Sequence, residues 1–205
     1  MINKQTFFAG YRKAFGPLAQ HQVDGLDYLL DRYNSSDQWL ADIRNIAYSL
    51  ATIKRETGIA VNGIDQTYHP IAEKGSKLYL SKYWWNRKVR GWLGNLGLAD
   101  SWLYKGRGYV QITGRANYAK FETLLGFALL GYPETALNYD VAFDIMTTGM
   151  FGGHFTGKRL ADYISSYSTD YFHARRIING LDHARDIAAD AIRFQTILAQ
   201  ALQSA

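Results

Sequence analysis

Two glutamates seventeen positions apart, Glu56 and Glu73, carry the chemistry that this sequence offers. A pair of carboxylates can give a proton to a leaving group and take one from water, which is the minimum equipment for hydrolysis. Glu56 falls just before Gly58, a residue suited to end a helix, so it is expected in a helix's last turn. That end carries partial negative charge and disfavours an ionised carboxylate, and partial desolvation adds to the effect. A carboxyl that holds its proton is what a general acid requires. Position alone still favours a surface acid compensated by Lys54 or Arg55. Glu73 ends a loop containing Pro70 that is long enough to fold back toward the helix end. Asp65 on the same loop is the competing acid, and a solvated Glu73 beside Lys74 is the plain alternative.

Residues 106–118 read Gly-Arg-Gly-Tyr-Val-Gln-Ile-Thr-Gly-Arg-Ala-Asn-Tyr. Tyr109, Gln111 and Thr113 alternate with Val110 and Ile112. A period of two predicts a short strand over 109–113 with one polar face, entered by a Gly turn. On that face Gln111 can bind substrate or orient a carboxylate. The five histidines have no metal-ligand spacing. There is no Gly-x-Ser-x-Gly and no phosphate loop, so neither a metal nor a cofactor is expected.

The elements that must hold these residues read mostly as helices. Thr6 is a candidate cap for a first helix with Phe7, Phe8, Tyr11 and Phe15 on its face, stopped at Gly16-Pro17. A second follows, through Val23, Leu26, Leu29, Leu30 and Tyr33. Asp37 is expected to cap a third that runs to Gly58 and carries Glu56. Residues 58–75 read as a loop, 78–85 as a short helix, 91–99 as a connection and 117–130 as a helix. Residues 139–149 form a buried helix candidate, 160–167 and 171–178 are further helix candidates, and 186–202 is an amphipathic closing helix.

The motif at 106–118 resembles the signature of family 19 glycoside hydrolases, the plant-type chitinases and related phage endolysins. Lys54-Arg55-Glu56-Thr57-Gly58 resembles the helix end that bears that family's general acid. Residues 68–73 resemble the segment ending in its second carboxylate. Leu93-Gly94-Asn95 and residues 100–104 resemble the lead into the signature, and Ile177-Ile178-Asn179-Gly180 its late asparagine motif. The matches run in order over residues 39–185. The chain departs from the family's pattern at Arg55, Ile59 and Ala116. The resemblance implies a mainly α, lysozyme-like two-lobed helical fold with a catalytic cleft and a small β element. It also implies an inverting hydrolase with Glu56 as acid, Glu73 as base and Thr113 holding the water, and substrate contacts from Gln111, Asn117 and Asn179. Read by themselves, the two asparagines are equally turn or cap residues. Arg107 and Arg115 are candidates either to tune the carboxylates or to meet the glycan, and Arg185 is a weaker candidate. A neutral glutamine at position 56 would be expected to leave folding unchanged or slightly improved.

Composition fits one catalytic domain over 1–205 with no separate wall-binding module. No apolar run approaches the length of a membrane span, no export signal is evident and there is no cysteine. Residues 74–115 hold nine Lys or Arg and one acid, Asp100, against a formal net charge of +5 for the whole chain. Eight aromatics are interleaved there. Such a stretch suits an anionic polymer. The expected partner is the glycan strand of peptidoglycan, without nucleic acid or stable membrane insertion. The protein is expected to be a monomeric endolysin held in the host cytoplasm until it reaches the wall. The alternatives are a chitinase and a catalytically dead binding protein.

Overall fold

A computed structural model describes residues 1–58, 60–61, 64–65 and 67–203. The chain divides into two compact units, Met1–Tyr68 with Gly149–Ala205, and His69–Thr148. Both are mainly helical, as expected.

The first unit begins with α1 (Lys4–Phe15). Its cap is Asn3, whose Oδ1 accepts from the Thr6 amide at 3.0 Å, so Thr6 lies inside the first turn instead of capping it. Next come α2 (Gln20–Asn34), the single turn α3 (Asp37–Leu40) and α4 (Ile43–Thr57). The expected third helix is thus two pieces. Asp42 caps the longer one through the Arg44 amide at 2.9 Å, and α3 ends where that cap begins. The antiparallel pair β1 (Ala60–Val61) and β2 (Ile64–Asp65) follows α4 in a stretch read as loop. Gly25 lies so close to the Tyr68 carbonyl that a Cβ there would meet its oxygen at 2.5 Å. The closing helix, α12 (Ala184–Gln203), buries Ile187, Ala191, Phe194, Ile197, Leu198 and Ala201. It packs on α4 and α1. Phe194 meets Tyr11 at 6.0 Å and Phe15 at 4.8 Å between ring centroids.

In the second unit β3 (Ile71–Ala72) precedes three short helices, α5 (Lys77–Leu80), α6 (Lys82–Trp85) and α7 (Arg87–Leu93). Helix α7 occupies part of the stretch read as a connection, and Gly94 ends it in the left-handed region at φ 63°. After α8 (Asp100–Leu103), β4 (Arg107–Gly108) pairs antiparallel with β3, Ala72 opposite Arg107 and Ile71 opposite Gly108. Helix α9 (Arg115–Leu125) and a 3-10 turn lead to α10 (Tyr139–Gly152), which carries the boundary between the units. The candidates at 160–167 and 171–178 shrink to 3-10 turns and α11 (Tyr171–Ala174). Among the described residues no helix is long and apolar enough to cross a membrane.

The strand expected at 109–113 is not there. Arg107 and Ile112 exchange backbone hydrogen bonds at 3.2 and 3.0 Å, closing a tight loop over 108–111. Gly108 at φ 90° and Gln111 at φ 56° turn it. Tyr109 is therefore fully buried and shares no polar face with Gln111 and Thr113.

Candidate functional site

Glu56 sits in the last turn of α4 with its side chain 18% exposed. Its Oε1 receives Nη1 of Arg175 at 2.5 Å. Arg175 is almost fully buried and donates a second hydrogen bond from Nε to the Asp182 carbonyl at 3.0 Å. The guanidinium opposes the field of the helix end, so Glu56 is a paired acid in this unit. This overturns the expectation that Glu56→Gln would leave folding unchanged or improved. Taking away the charge strips a buried arginine of its counter-ion, which destabilises. Arg175 was not among the arginines singled out in the sequence. Its clue is a spacing of four from Asn179, one turn, and the Asn179 amide bonds to the Arg175 carbonyl at 3.0 Å. Asn179 itself is exposed, and its Oδ1 accepts from Gly180 at 2.8 Å, which is turn chemistry.

Next to the end of α4 lies a cavity of about 270 Å³ lined in part by Lys54, Arg55, Asp65, Thr67, Asp186 and Asp190. Lys54 and Asp190 neutralise each other at 2.7 Å. The Asp65 carboxylate accepts from the amide and hydroxyl of Thr67 at 3.1 and 2.5 Å. Asp65, the competing base, is thus engaged within the first unit.

Glu73 belongs to the second unit and directly follows β3. Its amide donates to the Gly106 carbonyl at 2.7 Å, extending the β3–β4 ladder by one bond. Its Oε1 accepts from Tyr83 Oη at 2.8 Å, with Lys82 Nζ at 3.4 Å, and Oε2 faces the Gly106 amide at 3.3 Å. The side chain is 19% exposed. Burial, then the hydrogen bond to Glu73, pushes the Tyr83 phenol well above its ordinary range, so it acts here as a donor. Lys82 and Tyr83 were missed in the sequence because a loop-to-helix contact nine and ten residues apart has no periodic signature.

The tight loop after β4 brings two more expected residues to Gly106, beside Glu73. A Cβ placed on Gly106 would meet Gln111 Oε1 at 2.8 Å, Thr113 Oγ1 at 3.2 Å and Glu73 Cβ at 3.4 Å. Gly106 is therefore the point where Glu73, Gln111 and Thr113 converge. Gln111 Nε2 is fixed by the carbonyls of Ile71 and Gly108 at 2.8 and 2.9 Å, leaving Oε1 turned toward Gly106. Thr113 Oγ1 donates to the Gln111 carbonyl at 3.0 Å. A hydroxyl placed so retains acceptor capacity. Asn117 donates to the Thr113 carbonyl at 2.8 Å and so holds the loop's end against α9.

The other arginines have structural partners. Arg107 is buried and donates to the Leu103 carbonyl and to Tyr118 Oη at 2.7 and 2.9 Å. Burial, partly opposed by Arg107, pushes the Tyr118 phenol up to about 12. Arg115 grips Asp100 at 2.8 Å. Burial alone would raise the Asp100 carboxyl, but hydrogen bonds from Arg115 and the Leu96 amide hold it below its usual range. No contact of Arg185 bears on either glutamate. Among the described residues, no group of three or more His, Asp or Glu is placed to hold a metal ion.

No protein-family model matches the chain, and no curated protein does. Solved structures do. The crystal structure of chitinase C from Streptomyces griseus HUT6037 aligns over 94% of this chain and 91% of its own, with TM-score 0.58 and 17% identity. A chitinase C mutant with glutamate replaced by glutamine aligns over the same shares with TM-score 0.53 and 17% identity. The likeness is one of fold, and it spans both units.

Proposed function

We propose that this chain is a glycoside hydrolase that cuts β-1,4-linked glycan by single displacement with inversion, and that its substrate is bacterial peptidoglycan. In this reading Glu56 is the general acid and protonates the leaving oxygen. Glu73 is the base, and Thr113 holds the water that Glu73 activates. Gln111, Asn117 and Asn179 meet or order the substrate's amides. The observation that carries the reading is the convergence of Glu73, Gln111 and Thr113 on Gly106, in a chain whose fold is that of a chitinase over nearly its whole length. A glycine that leaves room for a carboxylate, an amide and a hydroxyl around one point suits a water-activating site.

Chitin is the second reading, favoured by the substrate that the structural neighbours' names imply. Peptidoglycan is preferred because residues 74–115 carry nine basic residues and one acid, which suits an anionic envelope and gives no advantage on a neutral polymer. The role that follows is lysis of a bacterial host by an endolysin. Mass spectrometry of fragments from purified peptidoglycan and from chitooligosaccharides tests this. New reducing ends on N-acetylated sugars from peptidoglycan are expected, with slower release from the chitin series. Released peptides with intact glycan would overturn the glycosidase assignment, and cleavage confined to chitooligosaccharides would move the substrate to chitin.

A further inference from the structure

The stretch from Lys74 to Trp92 holds six Lys or Arg and no acid, leaving seventeen basic against eighteen acidic residues in the rest of the chain. All of the protein's net positive charge is therefore carried by nineteen residues. They fold as α5, α6 and α7, three short helices in series separated by single residues. Lys74, Lys77, Lys82, Arg87 and Lys88 are exposed. So are large apolar side chains that a folded core would normally claim: Leu78 is 84% exposed, Trp85 70% and Trp92 69%, and Leu96, just beyond α7, is 78%. The cations lie on the aromatics. Lys82 Nζ is 3.6 Å from the Tyr79 ring centroid and Lys88 Nζ 4.9 Å from that of Trp92.

We infer that this face docks on the surface of an anionic lipid bilayer. Interleaved cations and rings by themselves fit a nucleic acid or a charged glycan equally, because bases and sugar faces both stack on aromatics. The two most exposed apolar side chains along this stretch and its end, Leu78 and Leu96, are aliphatic and offer neither of those ligands a stacking plane. Leucine and tryptophan beside lysine and arginine are the composition of an interfacial membrane-binding surface. There the apolar groups enter the headgroup boundary and the cations meet anionic lipid. The helices have seven residues or fewer, so the surface lies on a bilayer without crossing it. The inference goes beyond the catalytic proposal and does not depend on it, since binding is read without turnover.

The experiment is sedimentation of the full-length chain with vesicles of phosphatidylcholine alone or with about one-third phosphatidylglycerol, in low and high salt. Tryptophan emission is recorded alongside. Partitioning to the anionic vesicles with a blue shift, weakened by salt, is expected. Each Lys or Arg near an anionic surface contributes several-fold in affinity. Lys77→Glu with Lys88→Glu should therefore lower partitioning at least tenfold, and Trp85→Ser with Trp92→Ser should do so at both salt levels. All four side chains are exposed, so melting temperatures should stay near wild type. Equal binding to neutral vesicles, absence of binding, or variants that partition like wild type would overturn the inference. Loss of binding to purified peptidoglycan in these variants, with no vesicle binding by the wild type, would assign the face to glycan.

Discussion

One added methyl group at Gly106 tests the cluster around Glu73 with little other disturbance. Gly106 is outside the left-handed region, so alanine is tolerated by the backbone there. The cost comes from what the new Cβ meets. Gln111 Oε1 at 2.8 Å must retreat by about half an ångström to reach ordinary contact, and Thr113 Oγ1 at 3.2 Å must give slightly. Gln111 can yield only by loosening its bonds to the Ile71 and Gly108 carbonyls. A neutral hydrogen bond is worth about 1 kcal/mol net, so Gly106→Ala should cost about 2 kcal/mol. In a chain of this size that is a fall in melting temperature of roughly 4–8 °C. Activity should suffer more. A catalytic group displaced by about 1 Å can cost a hundredfold, so half that displacement at the hydroxyl and amide should cost at least tenfold.

The assay pairs release of soluble fragments from labelled peptidoglycan with a thermal melt. Gln111→Ala gives up the same two hydrogen bonds outright, so adding it to Gly106→Ala should cost little further stability, while activity stays low. Activity of Gly106→Ala within twofold of wild type, with a melt shifted as expected, would refute the claim that the convergence on Gly106 serves catalysis. An unshifted melt would refute the packing argument itself.

Glu56→Gln should lower activity by about a hundredfold or more, and leaving the buried Arg175 without its charged partner should lower stability by about 1–3 kcal/mol; near-normal lysis would remove Glu56 as the acid. The Asp100 carboxyl is held below its ordinary range in the folded state, so its contribution is present above about pH 4 and is lost as pH falls further. Asp100→Asn should lose about 2 kcal/mol at neutral pH, between the values for exposed and fully buried pairs because Arg115 reaches solvent, and should melt with a flatter dependence on acid than wild type; parallel melting curves from pH 2.5 to 7 would contradict this. A chain lacking residues 186–205 gives up the buried face of α12, at 1.5 kcal/mol or so per large apolar side chain, and is expected to be unfolded by far-UV circular dichroism. Proton NMR of the first product, recorded before mutarotation, should show the α-anomer; a β-anomer would make the second carboxyl a nucleophile and exclude Glu73 as a base.

The helices of the first unit were legible because burial on one side repeats every three or four residues, as Ile46, Leu50 and Ile53 do along α4. Their ends were less so. Thr6 and Asp37 looked like caps, yet Asn3 caps α1 from three residues before Thr6, and Asp42 caps α4 while Asp37 opens the separate turn α3. The alternation at 109–113 misled for a physical reason. Gly108 and Gln111, both at positive φ, let the chain reverse within six residues, and a tight loop closed between Arg107 and Ile112 buries Tyr109 whatever the polarity of its neighbours. Periodicity reports which face of a regular element is buried, and a loop whose backbone enters the left-handed region at Gln111 has no such face.

The environment of each glutamate was beyond the reach of sequence for another reason. Position on α4 gave the field of the helix end at Glu56, but its direct partner is a guanidinium 119 residues away in the chain. The same holds for Glu73. Lys74 next to it looked like its counter-charge, whereas a phenol and an ammonium from α6 and an amide from Gly106 take that place. A carboxylate that faces three donors is fixed in direction, which is what the base role proposed for Glu73 requires. Glu56, gripped on one oxygen by Arg175, keeps its other oxygen for a second partner. If Glu56 is the acid, the proton it delivers is carried on that second oxygen, and Arg175 stabilises the carboxylate left behind once the proton has gone.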